Sequence, residues 1–169
     1  MEKEEFEQAE NFWKEYDKKA VKMPQEQVKA KAEEFLKAHK SCALSTASKD
    51  CVRCTPIEYT WLDGHMYMLS EGGTKFHALA ENEHVCMAVF EPYQGFGQLE
   101  SIQITGTAKV CTYDTPIYKK VLEAKKIPAS AIEKLSHPMY LIDITPQKME
   151  LLFSEFKKNG FDSRQAIIW

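Results

Sequence analysis

Arg53, Ser70, Thr74 and Lys75 are the residues whose types and spacing carry the clearest chemistry in this chain. Residues 70–75, Ser-Glu-Gly-Gly-Thr-Lys, join a strand-like run to a short helix, and Gly72-Gly73 lets the backbone approach a ligand closely. Thr74 and Lys75 then place amides, a hydroxyl and an ammonium at a helix N-terminus, where anions are favoured. Arg53, on an earlier strand-like run, adds a guanidinium suited to two-pronged contact, whereas Lys75 acts as a point charge. Together they suit a phosphate, so the pattern reads as a cradle for a phosphorylated cofactor. The segment lacks G-x-x-x-x-G-K-[ST], so nucleotide triphosphate hydrolysis is unsupported. Taken alone, a glycine turn before a helix is also a plain connection, with Lys75 merely solvated.

The elements that must position these groups are strands. Asp63-Gly64 is a hairpin signal between residues 52–61 and 65–70. On the first run Arg53, Thr55, Ile57 and Tyr59 share one face, Cys54, Pro56 and Glu58 share the other, and Pro56 marks an edge or a bulge. Further strands are expected over 42–48, 84–91, 99–113 with a bulge at Gly106, and 139–144; residues 147–153 read as strand or helix. Short helices are expected over 74–81, 116–125 and 128–135. Toward the N-terminus, Phe6, Ala9, Phe12, Trp13, Tyr16 and Ala20 recur at helical steps, and Val28, Ala32, Phe35 and Leu36 repeat the pattern after Pro24. About six sequential antiparallel strands with peripheral helices make the class mainly β, a small barrel, since closure removes sheet edges. Residues 1–40 form a helical extension packed on a barrel of 41–169, within one globular domain.

At 169 residues with 44% hydrophobic and 28% charged residues, the chain reads as one ordinary soluble domain. A net charge of −3 argues against a surface built for nucleic acid, so any anion site is local. The acidic, amphipathic N-terminus is not a signal peptide, and no apolar run reaches the ~20 residues that cross a bilayer. A cytoplasmic location is expected. Cys42, Cys51, Cys54, Cys86 and Cys111 are odd in number and read as reduced thiols. Cys51 and Cys54 form a C-x-x-C with no second pair at zinc spacing, so no metal site is expected. His39, His65, His77, His84 and His137 are candidate bases or axial ligands, and each reads first as a structural histidine.

Arg53-Cys54-Thr55-Pro56-Ile57, the run Tyr67 to Lys75, then Leu79, Asn82 and Val85, and Ser101-Ile102-Gln103-Ile104-Thr105-Gly106 together resemble the FMN-binding split barrel of pyridoxamine 5'-phosphate oxidase-like proteins. The resemblance covers roughly residues 41–113, with weaker similarity over 139–144. It implies a six-stranded antiparallel split barrel and a homodimer with FMN at the subunit interface. Carried over by position, Arg53 and Lys75 bind the FMN phosphate with help from Ser70 and Thr74, and Leu69 lies beside them. Cys54, Thr55, Pro56 and Ile57 line the flavin ring, while Ser101 and Gln103 reach the cofactor from a neighbouring strand, of the same or of the partner subunit.

The chain departs from the oxidase at its C-terminus. There FDSRQAIIW offers Arg164 alone where the oxidase carries arginine and histidine for its substrate, which puts vitamin B6 oxidation in doubt. The expected activity is an oxidoreductase that takes electrons onto the flavin, with a reduced nicotinamide as a candidate donor and a small organic acceptor. Two rivals stand beside it: a non-enzymatic protein that stores or senses flavin or haem, and a dimerising scaffold whose N-terminal helices form an interaction module. Whether a deazaflavin replaces FMN is open at this stage.

Overall fold

Asp63 and Gly64 both take positive φ, 52° and 80°, so the hairpin turn forms where the dipeptide places it. The computed structural model describes residues 2–169. In chain order the elements are α1 Lys3–Lys19, α2 Gln25–Ala38, β1 Ser41–Ala47, β2 Val52–Glu58, β3 Thr60–Leu62, β4 His65–Ser70, α3 Thr74–Glu81, β5 His84–Phe90, β6 Glu100–Cys111, α4 Pro116–Lys125, α5 Ala129–Glu133, β7 Tyr140–Phe153 and β8 Arg164–Ile168.

All strands belong to one antiparallel sheet in the order β2-β1-β5-β6-β7-β4-β3, with β8 added along the second half of β7. The mainly β class holds, but among the described residues the sheet has eight strands rather than six. Two added strands, β3 and β8, account for this. Tyr59 separates β3 from β2 and sends its hydroxyl to the Leu36 carbonyl at 2.8 Å. Residues 140–153 form one long strand, and the tail returns as β8. The helix expected over 128–135 is shorter, α5 covering Ala129–Glu133. Pro56 does lie on an edge strand, where its missing N–H costs no ladder bond.

The sheet curls without closing: β2 and β4 approach each other with no ladder between them, and α3 packs against β1 and β2 at this split. The inner face carries Leu44, Met87, Val89, Ile102, Ile104, Met149, Leu151 and Phe153. Helix α2 caps it with Val28, Ala32, Phe35 and Leu36, and burial of the three larger side chains contributes about 1.5–3 kcal/mol each. On the other face Tyr67, Cys111 and Leu141 form a second core with Tyr118, Val121 and Leu122 of α4. Helix α1, by contrast, buries none of its residues. Among the described residues no helix is long and apolar enough to cross a membrane.

Candidate anion site at the split of the sheet

Strand β4 ends at Ser70, and the next two glycines take φ of 118° and 85°, a conformation that L side chains rarely adopt. This turn delivers Gly73 as the N-cap of α3, and no side chain caps the first turn. The Gly72 amide donates to Ser70 Oγ at 3.2 Å, and Lys75 Nζ donates back to the Gly72 carbonyl at 2.5 Å. Leu69, Ser70, Glu71, Gly72, Gly73, Lys75 and Met139 line a concavity of about 480 Å³. Glu71, one of the lining residues, lies 3.1 Å from His137 Nε2.

Arg53 comes to this site from β2. It sits directly across the ladder from Thr46 and shares a face with Thr55 and Ile57, whose partners are Leu44 and Cys42. Burial lowers the Lys75 pKa below its usual lysine value, the Arg53 guanidinium lowers it further, and Glu71 partly opposes them. The two cations therefore lie within electrostatic reach of each other. Around Arg53, Thr46 Oγ1 and Thr55 Oγ1 are buried with no hydrogen-bond partner, as is Ser48 Oγ at the end of β1. An unsatisfied buried hydroxyl costs about 1–3 kcal/mol, so two of them flanking an arginine mark a place suited to an external acceptor.

The structure thus brings Arg53, Thr55, Leu69, Ser70, Thr74 and Lys75 to one region. Ile57 points inward and packs against the main core. Cys54 and Pro56 face the other side of β2, on the outer face shared with Ser45, Ala43, Cys86 and Ala88. Ser101 and Gln103 continue that outer face on β6, paired with Phe90 and Ala88. They stand three strand spacings from β2, about 14 Å. Within one chain they do not join Arg53 and Lys75. Thr46 is the residue that sequence reasoning missed: its signal is the strand register, which places it opposite Arg53 and which local sequence does not reveal.

Four of the histidine rings have a partner: His39 bridges the Phe35 carbonyl at 2.7 Å and Glu91 at 2.9 Å, His65 pairs with Asp143 at 2.7 Å, His77 pairs with Glu81 at 3.5 Å, and His137 lies beside Glu71. At His84 it is the backbone amide that donates, to Asn82 Oδ1 at 3.0 Å. All five cysteines are free thiols, and no cluster of three metal-ligating side chains occurs among the described residues.

A curled, open antiparallel sheet with two cations, orphan hydroxyls and a glycine-led helix start at its split defines a split-barrel protein with a candidate anion site. The family model described as pyridoxamine 5'-phosphate oxidase matches residues 28–153, and the chain belongs to that family. Solved structures share the fold at low identity. A FAD-binding protein from Mesorhizobium loti superposes with TM-score 0.59 at 20% identity, covering 71% of this chain and 88% of its own. A putative pyridoxamine 5'-phosphate oxidase from Listeria innocua gives 0.59 at 20% identity, covering 74% and 98%. HutZ, a haem storage protein from Vibrio cholerae, gives 0.62 at 14% identity, covering 73% and 94%. No curated protein matches the sequence.

Proposed function

We propose that this chain is an FMN-binding oxidoreductase that holds the cofactor phosphate between Arg53 and Lys75. The observation that carries this reading is the approach of two cations beside the unpartnered Thr46 and Thr55 hydroxyls. Repelling charges next to unsatisfied buried donors are unfavourable without an anion, and a phosphate monoester relieves both penalties. Thr74 and the uncapped first turn of α3 supply further donors. Bound flavin would supply hydride and electron transfer, with a reduced nicotinamide as donor and a small organic molecule as acceptor. The chain's own groups hold the phosphate and orient the ring.

The placement of Ser101 and Gln103 on the outer face supports a homodimer with FMN at the subunit interface. A second copy meeting the Cys54, Pro56, Ala88 and Gln103 face would bring these two residues to the partner's cofactor, which they do not reach in their own chain. Five free thiols suit a reducing cytoplasm.

Absorbance of the purified protein and titration with FMN test the reading. Flavin bands that bleach with reduced nicotinamide are expected, and Arg53→Ala with Lys75→Ala should weaken FMN binding by about 3–6 kcal/mol, two charge-assisted contacts. A Soret band would assign haem instead, and unchanged FMN affinity in the double variant would refute the cradle.

A further inference from the structure

Helix α1 carries its apolar residues at a repeat that its own chain covers only in part. Phe6, Ala9, Trp13 and Tyr16 follow at steps of three, four and three, the seam spacing of two helices wound side by side. Phe6 is 61% exposed, Phe12 62%, and Trp13 and Tyr16 49% each. Beneath the helix an open groove of about 520 Å³ lies between Trp13 and Tyr16 and the outer-face residues Gln103 and Glu150, so the sheet does not fill the seam. The tethers sit toward the C-terminal end of α1. Tyr16 donates its hydroxyl to Asp162 at 3.3 Å, the Val21 amide donates to the same carboxylate at 2.6 Å, and the Arg164 guanidinium lies 4.4 Å from the Trp13 ring centre.

We propose that α1 pairs antiparallel with α1 of a second copy of this chain. In that alignment Trp13 faces the partner's Ala9 and Phe6 faces the partner's Tyr16, so the largest seam residue meets the smallest. Phe12 flanks the two-fold axis beside the partner's Phe12. Lys3 stands opposite the partner's Asp17, and Glu5 opposite the partner's Lys19. The parallel alignment does the reverse: Trp13 meets the partner's Trp13, and Glu5 is set beside the partner's Glu10, a like-charge contact. Charge therefore selects the antiparallel pair, whose surface is self-complementary as two-fold symmetry requires. One like-charge contact remains, Glu10 with the partner's Glu10, and Lys14 lies 2.6 Å from Glu10 on its own helix to offset it. The pairing does not depend on flavin.

Oxidative cross-linking of the full chain carrying Glu10→Cys tests this, with Asn11→Cys on the opposite side of the helix as control. Mass spectrometry of linked peptides separates these disulfides from any made by the native thiols, and both positions are exposed on a helix with no buried residue, so Glu10→Cys removes only the surface ion pair with Lys14 and leaves the core untouched. The expected result is a link between two residue-10 peptides and none between residue-11 peptides. Lys3→Glu in the Glu10→Cys background should reduce the linked fraction about tenfold, two symmetry-related attractions becoming repulsions, and adding Asp17→Lys should restore it. Absence of the residue-10 link, equal linking at both positions, or failure of the charge swap to restore it would each overturn the proposal. Because these readouts ignore cofactor content, they stand apart from the FMN titration.

Discussion

Thr46 lies directly across the β1–β2 ladder from Arg53, 2% exposed, with its hydroxyl unpartnered. A group in that position is a liability in the empty protein and an asset once an acceptor arrives.

Thr46→Val separates the two effects, because valine keeps the shape and removes the hydroxyl. Thermal unfolding of the cofactor-free variant should rise by about 2–4 °C, corresponding to about 1 kcal/mol regained. FMN titration of the same variant should show weaker binding. A fall in both quantities would mean that Thr46 has only a structural task.

Lys75 should respond to its neighbour. Since burial first and Arg53 second hold its pKa below the ordinary lysine value, Arg53→Gln should move the pKa up, as should a bound phosphate. NMR titration of the Lys75 side chain reads both shifts, and a downward or absent shift in Arg53→Gln would show that the two cations do not sense each other.

Alkaline stability should report the β1 thiol. Burial, with a smaller contribution from Cys54, pushes Cys42 from 9.0 up to about 12. The unfolded chain then loses its thiol proton first, so the contribution of this group is complete below pH 9 and is lost as pH rises toward 12. Tyr67, pushed up to about 12 chiefly by burial, acts in the same direction above its ordinary value of 10.0. Denaturant midpoints across this range should therefore fall less steeply in Cys42→Val than in the parent.

Gly106 has no room for a side chain. A β-carbon there would meet the Thr145 carbonyl oxygen at 2.3 Å, against backbone that cannot give way cheaply. Gly106→Ala should destabilise the protein by about 1–3 kcal/mol, read as a lower urea midpoint. An unchanged midpoint would show that β6 and β7 can separate at no cost.

Turn chemistry made much of this fold legible in the sequence. Asp63-Gly64, Pro56 and Gly106 each announce a hairpin, an edge and a bulge through local backbone demands, and the structure has all three. Strand β7 was harder to read for a definite reason. Inward residues run Ile142, Ile144, Pro146 and then Met149, Leu151, Phe153, changing phase at Gln147, where the ladder with β6 shifts between Thr105 and Gly106. A two-residue period that slips by one looks like no period at all. In the candidate site, Ser70 to Lys75 were visible because they are contiguous. Thr46 was not, since its place opposite Arg53 depends on how β1 and β2 align. The exposed stripe of α1 reads in sequence like any helix that packs on a core, and only the structure shows that its own chain buries none of it fully.

The gap between β2 and β4 gives a bound phosphate a mechanical task besides recognition. Arg53 belongs to one margin of the curled sheet, while Ser70 ends a strand on the other and leads through the glycines to Lys75. An anion gripped from both sides would act as a clasp, linking parts of the sheet that the backbone leaves unladdered. Slower hydrogen exchange should then appear in β2 and the first turn of α3 on loading, well before it appears in the central strands, which are already held by neighbours on both sides.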